Sequence, residues 1–437
     1  MTDRTAPVSA NRATEIATGP IGGFLKATEI DTRMLGMIGA LAVIWIGFHI
    51  ASGGVFLTPR NLWNLSVQTA SIAVMSTGMV LVIVTRNIDL SVGSVLGVIG
   101  MLMGVFQAEF LPGLIGFDHG ATWLLALAFG ILVGAAIGAL HGYVIAYLGV
   151  PAFIVTLGGL LVWRGAAWWV TSGRTVAPMD STFRLIGGGT EGSIGAAASW
   201  GVGVVTCVAI IIMLVNGRRQ RRRFKFPLRP LWAEGVLGSI GCGFVLAAIG
   251  IANSYPWPKR IAARYAEAQG IEAPPEGLFI SHGLAIPVLI AIAVGIVMTF
   301  IATRTRFGRY VFAIGGNPEA ADLAGVNTKR VKMMIFMLMG VLCAIASAIS
   351  TARLNAATNA QGTLDELFTI AAAVIGGTSL SGGVGTIAGA MLGALVMQSL
   401  QSGMVLMGID TPLQTIVVGA VLVLAVWLDI VYRRKTA

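Results

Sequence analysis

Apolar runs of 16 to 26 residues recur along nearly the whole chain, and they constrain the fold more than any other feature. A helix rises about 1.5 Å per residue, so about 20 apolar residues cross the hydrocarbon core of a bilayer. The runs predict membrane segments at 34–51, 67–85, 88–107, 123–148, 152–171, 200–215, 236–251, 280–301, 333–350, 367–376, 384–401 and 413–431. The tenth is too short to cross unaided and reads as a broken or re-entrant piece that protein must bury. Composition agrees, with 56% of residues hydrophobic and 11% charged, against about 25% charged in soluble domains. The expected fold is all-α: a polytopic helical membrane protein with 11 or 12 membrane segments.

A net charge of +10 invites a nucleic-acid reading, but its placement excludes one. With the N-terminus inside and twelve crossings, 21 of the 29 basic residues fall on one side. That is the positive-inside pattern, and it puts both termini in the cytosol. Arg4, Arg12, Lys26 and Arg33 lie in an expected cytosolic tail, 1–33, which has no removable signal peptide; one transmembrane domain covers 34–432. Residues 218–230, with seven basic side chains, read as a cytosolic loop resting on anionic lipid. Arg433, Arg434 and Lys435 complete the inner charge. Outer loops are expected at 171–199 and 253–278, the second Pro-rich.

The most informative inner stretch is 304–332, RTRFGRYVFAIGGNPEAADLAGVNTKRVK. Asn317 can cap a short helix, Pro318 suits its first turn and Gly325 its left-handed end. Glu319 and Asp322 are read near the positive end of this short helix's dipole, and Arg304, Arg306, Arg309, Lys329, Arg330 and Lys332 flank it. An ordinary inner loop accounts for the charges but not for the capping pattern. A capped helix hung between membrane spans is a handle for a cytosolic partner.

Glycine is ordered rather than scattered. Gly130, Gly134, Gly138 and Gly142 repeat every four residues, as do Gly385, Gly389 and Gly393, and Gly93 and Gly97. Such stripes let helix backbones approach closely in lipid. The stretches VTRNIDLSVGSVLG, from Val84, and VIGGTSLSGGVGTIAG, from Val374, form a faint internal repeat, as in transporters built from duplicated halves.

Catalytic constellations are absent from the sequence: it carries no GxxxxGK[ST] phosphate loop, no HExxH and no GxSxG elbow. Cys207, Cys242 and Cys343 are scattered within apolar runs, and His49, His119, His141 and His282 are isolated, so no metal site is expected. Polar residues at membrane depth are the candidate substrate path: Asn64 and Gln68, then Asn87, Asp89 and Ser91, then Thr378, Ser379 and Ser381, and finally Gln398, near Gln401. Asp89 has a structural alternative, as a helix cap paired with Arg86. Trp163, Trp168 and Trp169 beside Arg164 suit interface anchoring better than stacking on a sugar ring.

Glu319-Ala320-Ala321, followed by Gly325 and Ile335, resembles the docking loop of bacterial ABC-import permeases; the Leu-Pro that often ends that pattern is replaced by Met337 and Leu338. TRNIDLSVGSVLG (85–97) and AAVIGGTSLSGGVGTIAGAMLGAL (372–395) resemble the branch importing ribose, galactose and xylose, most of all its xylose systems. The resemblance implies a permease subunit that passes D-xylose inward across the bacterial inner membrane. Residues 304–332 become its coupling loop, with Gly316, Asn317, Pro318, Glu319, Ala320, Ala321 and Gly325 meeting an ATPase subunit. It further implies a second permease copy, a periplasmic sugar-binding protein, and ATP with Mg on the ATPase, this chain holding no cofactor. The rival reading is a proton- or sodium-coupled secondary transporter, for which Asp89 is the one suitable intramembrane acid.

Overall fold

The computed structural model describes residues 27–29, 32–270 and 278–436. Arg4, Arg12, Lys26 and the Pro-rich 271–277 lie outside the described residues, as do the side chains of Arg33, Arg433, Arg434 and Lys435. Among the described residues, sixteen α-helices of five or more residues carry the fold: α1 Thr32–Ala51, α2 Pro59–Val84, α3 Val92–Val105 (continued by a π-helical turn, Phe106–Phe110, and a short turn of helix, Pro112–Ile115, into one span), α4 Thr122–Ala146, α5 Ala152–Trp169, α6 Ser181–Leu185, α7 Gly195–Arg223, α8 Leu231–Asn253, α9 Lys259–Gln269, α10 Ile286–Arg304, α11 Arg306–Gly316, α12 Pro318–Leu323, α13 Thr328–Leu354, α14 Asp365–Ile375, α15 Ile387–Leu406 and α16 Thr411–Thr436. Ten of the described helices are long and apolar enough to cross a membrane. The shorter apolar part of α16, Thr411–Trp427, is a further apolar segment, and the eleven-residue α14 is mostly buried.

A bundle of α2, α3, α13, α14 and α15 forms the core. Most of α2 is buried, from Trp63 to Val84. Glycine sets the spacing: a methyl at Gly134 or Gly138 would collide with the Gly340 or Phe336 carbonyl, so α4 lies backbone to backbone on α13. Gly389 and Gly393 do the same against the carbonyls of Gly376 and Ala372, seating α15 on α14. Both stripes therefore serve packing.

Two crossings are interrupted. Between α2 and α3 the chain turns through 85–91, where Arg86 is exposed while Asp89 and Ser91 are buried. After α13 ends at Asn355 in a left-handed conformation, residues 355–364 fold back before α14 begins. The starts of α3 and α14 meet, since a methyl on Gly93 would strike Gly362 and Glu366.

Several boundaries differ from the sequence expectation. Residues 218–223, expected as part of a basic loop, form the last turns of α7, leaving 224–230 as the connection. Arginine is a good helix former, and its charge suits the negative end of the helix dipole. The coupling stretch holds two helices rather than one, since α11 precedes α12. Residues 280–285, expected within a span, precede α10 and join the segments around 193 and 256 through bridges from Ser281 to Pro256 and from Ala285 to Ser193.

Candidate translocation path and docking helix

A polar cleft of about 520 Å³ opens between α2, α13, α14 and α15. On α2, Asn61, Asn64, Gln68 and Ser71 fall at helical spacing along one face and reach it together. Gln398, Gln401 and Ser402 of α15 stand opposite, and Arg353 and Asp365 close one wall. The Gln398 amide donates to Gln68 Oε1 and to Gln401 Oε1, both at 3.2 Å. Such amides, with a carboxylate and a guanidinium nearby, present donors and acceptors suited to a small polyhydroxylated solute.

A second cleft of about 450 Å³ shares Asn64, Gln68 and Arg353 with the first. It is lined by Arg184, Thr190 and Glu191 of the outer segment and by Trp63. Behind Trp63, whose indole donates to the Gly283 carbonyl at 2.9 Å, Tyr255 and His282 stack with centroids 4.3 Å apart. Burial pushes the His282 imidazole below its ordinary range; its Nδ1–H donates to the Tyr255 carbonyl. The two clefts thus adjoin at Asn64, Gln68 and Arg353 and form a candidate route between the segment around Arg184 and Gln68.

The floor of this route is unwound backbone. Arg164 of α5 donates to the carbonyls of Asn359, Gln361 and Gly362 at 3.2, 2.8 and 3.1 Å. Gln361 in turn donates to Thr351 Oγ1 at 3.0 Å. Non-helical backbone at membrane depth needs partners of this kind, because lipid supplies none. Arg164 is thus committed to the main chain, Trp163 donates to His141 at 2.9 Å, and Trp168 and Trp169 are exposed.

The candidate path residues fall into two groups. Asn64, Gln68 and Gln398 line the cleft. Asn87, Asp89, Ser91, Thr378, Ser379 and Ser381 lie at the opposite ends of α2 and α14 and line neither cleft. Asp89 Oδ1 accepts from the Ser91 amide at 2.9 Å and the Ser91 hydroxyl at 2.6 Å, a local turn leading into α3; it is not the expected helix cap, since the N-cap is Ser91 and no side chain bonds the first amides of α3. Asn87 folds back onto Thr85. Thr378 and Ser379 are fully buried, and Ser379 bonds Ser381. The expected Arg86–Asp89 pair does not form. Arg86 donates instead to the carbonyls of Gly315 and Gly316, at 3.1 and 2.8 Å. Those groups are left over at the end of α11, where a cation is worth about 0.3–1 kcal/mol.

Past Gly316 the predicted capped helix is present. Asn317 Oδ1 accepts from the Ala320 amide at 3.0 Å, and Gly325 is left-handed at φ +81°. The Val326 amide reaches back to Ala321 and that of Gly325 to Asp322, which closes the helix end. Ala321 faces the bundle, whereas Leu323 is 91% exposed. Leu323 thus projects from α12 away from the bundle, the most exposed large apolar side chain among the described residues. Sequence pattern alone does not single it out, since one leucine in a polar hexamer carries no periodicity.

Residues 61–426 match the family model described as the permease component of the branched-chain amino acid transport system. The chain belongs to this family. Among curated members of like sequence, the xylose transport system permease protein of Escherichia coli (strain K12) is 35% identical over 97% of this chain and 98% of its own length. The ribose import permease protein of the same organism is 32% identical over 93% and 95%. Its D-allose transport system permease protein is 26% identical over 89% of each. No solved structure matches the chain. As a permease component, it is a transport subunit and not an enzyme.

Proposed function

We propose that this chain is the membrane-spanning subunit of an ATP-driven sugar importer, with D-xylose as its substrate. Supporting the sugar are the relatives named for xylose, ribose and allose and the amide-lined cleft around Gln68 and Gln398. The observation that carries the ATP-driven reading is α12, a doubly capped helix that turns Leu323 out of the bundle. A secondary transporter has no use for such a handle.

In this reading two copies of the chain pair in the bacterial inner membrane, with both termini in the cytosol. Glu29 supports that orientation for the N-terminus: it bonds Arg221 and Arg229, in the basic segment that the positive-inside rule places inside. A periplasmic binding protein delivers the sugar to the cleft beside Arg184 and Glu191. An ATPase subunit grips α12 at Asn317–Gly325 and holds the ATP and Mg, and its closure drives the switch from outward- to inward-open. Asn64, Gln68 and Gln398 exchange hydrogen bonds with the passing sugar, and anionic lipid rests against Arg218–Arg229.

The test is uptake of labelled D-xylose into proteoliposomes holding the permease, its ATPase and its binding protein. Uptake is expected to require ATP, to survive an uncoupler, and to be outcompeted by xylose but not leucine. Uptake driven by an imposed proton gradient without ATP overturns the reading, as does competition by leucine alone.

A further inference from the structure

Three pieces of backbone meet at one point on the inner face. They are the end of α2 at Val84, the end of α11 at Gly315 and Gly316, and the turn at Gly382 and Gly383. The last carbonyls of a helix have no partner within it. Here each end is satisfied by another piece: the Gly383 amide donates to the Val84 carbonyl at 3.0 Å, and the Arg86 guanidinium takes those of Gly315 and Gly316. The packing leaves no slack, since a methyl on Gly315 would strike both Val84 and Gly383. Gly382 lies against the Arg86 stem in the same way.

What this junction joins matters more than its tightness. Gly316 directly precedes Asn317, the cap of α12. Val84 ends the helix that carries Gln68, and Gly383 lies on the turn between α14, which begins at Asp365, and α15, which carries Gln398. The handle on the inner face is therefore fastened to both walls of the cleft at their far ends. To α2 it is fastened by direct packing of Gly315 on Val84 and by the two hydrogen bonds of one side chain, Arg86.

We propose that Arg86 is the coupling clasp of this transporter, a positioning residue that passes displacement of α12 to α2. It touches neither sugar nor nucleotide. Two hydrogen bonds from one planar guanidinium fix direction as well as distance, so a push on α11 and α12 turns into rotation of α2. Without the clasp, α12 can still bind its partner and move, but the cleft no longer follows. The inference rests on the reading of α12 as the ATPase-docking helix.

Arg86 itself has φ +62°, a conformation that glycine adopts without strain. Arg86→Gly therefore removes the guanidinium while easing the backbone, which separates loss of the clasp from loss of the fold. The experiment uses the full transporter, permease with its ATPase and binding protein, in proteoliposomes, and reads sugar moved per ATP hydrolysed. Arg86→Gly is expected to accumulate and to hold its ATPase as the wild type does, to hydrolyse ATP, and to move at least fivefold less sugar per ATP. Arg86→Lys, which keeps the charge but not the paired donors, should recover part of the loss. Wild-type sugar per ATP in Arg86→Gly overturns the proposal; so does failure to accumulate or to hold the ATPase, each of which makes Arg86 a residue of folding or docking. A parallel Leu323→Glu variant tests the underlying reading: an ATPase that stays bound to it refutes the docking role of α12, whatever Arg86→Gly does.

Discussion

In α2, 89% of the most apolar window is buried inside the protein, whereas in α7 and α8 the share is 11%, although both of these are the more apolar. Inside a membrane, then, hydropathy does not say which helix forms the core. Lipid is as good a solvent for Leu and Ile as the protein interior, so apolar area does not drive helices together. Helices α7 and α8 leave most of their apolar faces uncovered by this chain. By contrast, α2 mixes its apolar residues with Asn61, Asn64, Gln68, Ser76, Thr77 and Gly78, and these have to be turned inward. Small and polar residues, not apolar ones, mark the working bundle.

The contrast breaks most sharply at glycine. Gly138→Leu pushes a side chain into the Phe336 carbonyl. It should cost about 3 kcal/mol, the upper end of ordinary overpacking, and strip the folded protein from the membrane. Gly243→Leu on α8 meets nothing within 4 Å and should stay within about 0.5 kcal/mol of wild type. Thermal unfolding of the two purified variants decides, and equal losses would erase the distinction between the tight α4–α13 contact and the open face of α8.

Next in size is Leu323→Glu. Co-purification of the ATPase should fall more than tenfold at unchanged membrane abundance, because the residue touches the bundle hardly at all. Gln398→Leu should follow. It leaves Gln68 Oε1 without its donor, and sugar uptake at matched abundance should drop about tenfold, equivalent to about 1.4 kcal/mol. Unchanged uptake would show that the solute does not pass between these amides. Asp89→Asn is expected to be mild, since an amide oxygen can still accept from Ser91; near-complete loss of uptake at normal abundance would put Asp89 in the path after all.

The smallest effect belongs to the basic segment beside the hairpin. Arg221 and Arg229 bond Glu29 and hold its carboxyl down at about 2, from an ordinary 4.5. A depressed carboxylate contributes fully above its unfolded value and loses that contribution as pH falls through the folded one. This tether should therefore be constant across neutral pH and released only by strong acid. Glu29→Gln should leave uptake unchanged at pH 7 and raise only the rate of proteolysis next to residue 29; altered uptake would mean that the hairpin serves transport.

Much of this was legible in the sequence because its causes are local. Apolar runs give spans by length, and Asn317, Pro318 and Gly325 give α12 because caps act within one turn. Gly130–Gly142 spacing announced close packing in the same way. What stayed hidden depends on residues far apart along the chain. Gln68 and Gln398 meet across 330 positions, so nothing near either one shows that they share a cleft with Asp365 and Arg353. The Arg86–Asp89 pair was the natural local expectation. It lost to two unpartnered carbonyls at the end of α11, which only the folded chain brings within reach of the guanidinium.

The Arg164 contacts also bear on how the chain is made. Arg164 leaves the ribosome long before Asn359, whose carbonyl it will hold, since 195 residues separate them. Helix α14 has 11 residues, too few to lodge in lipid on its own, and the backbone ahead of it is soluble there only against that guanidinium. Arg164 is therefore already in the chain when the carbonyls of Asn359, Gln361 and Gly362 that it holds are made. Order of synthesis thus matches order of need.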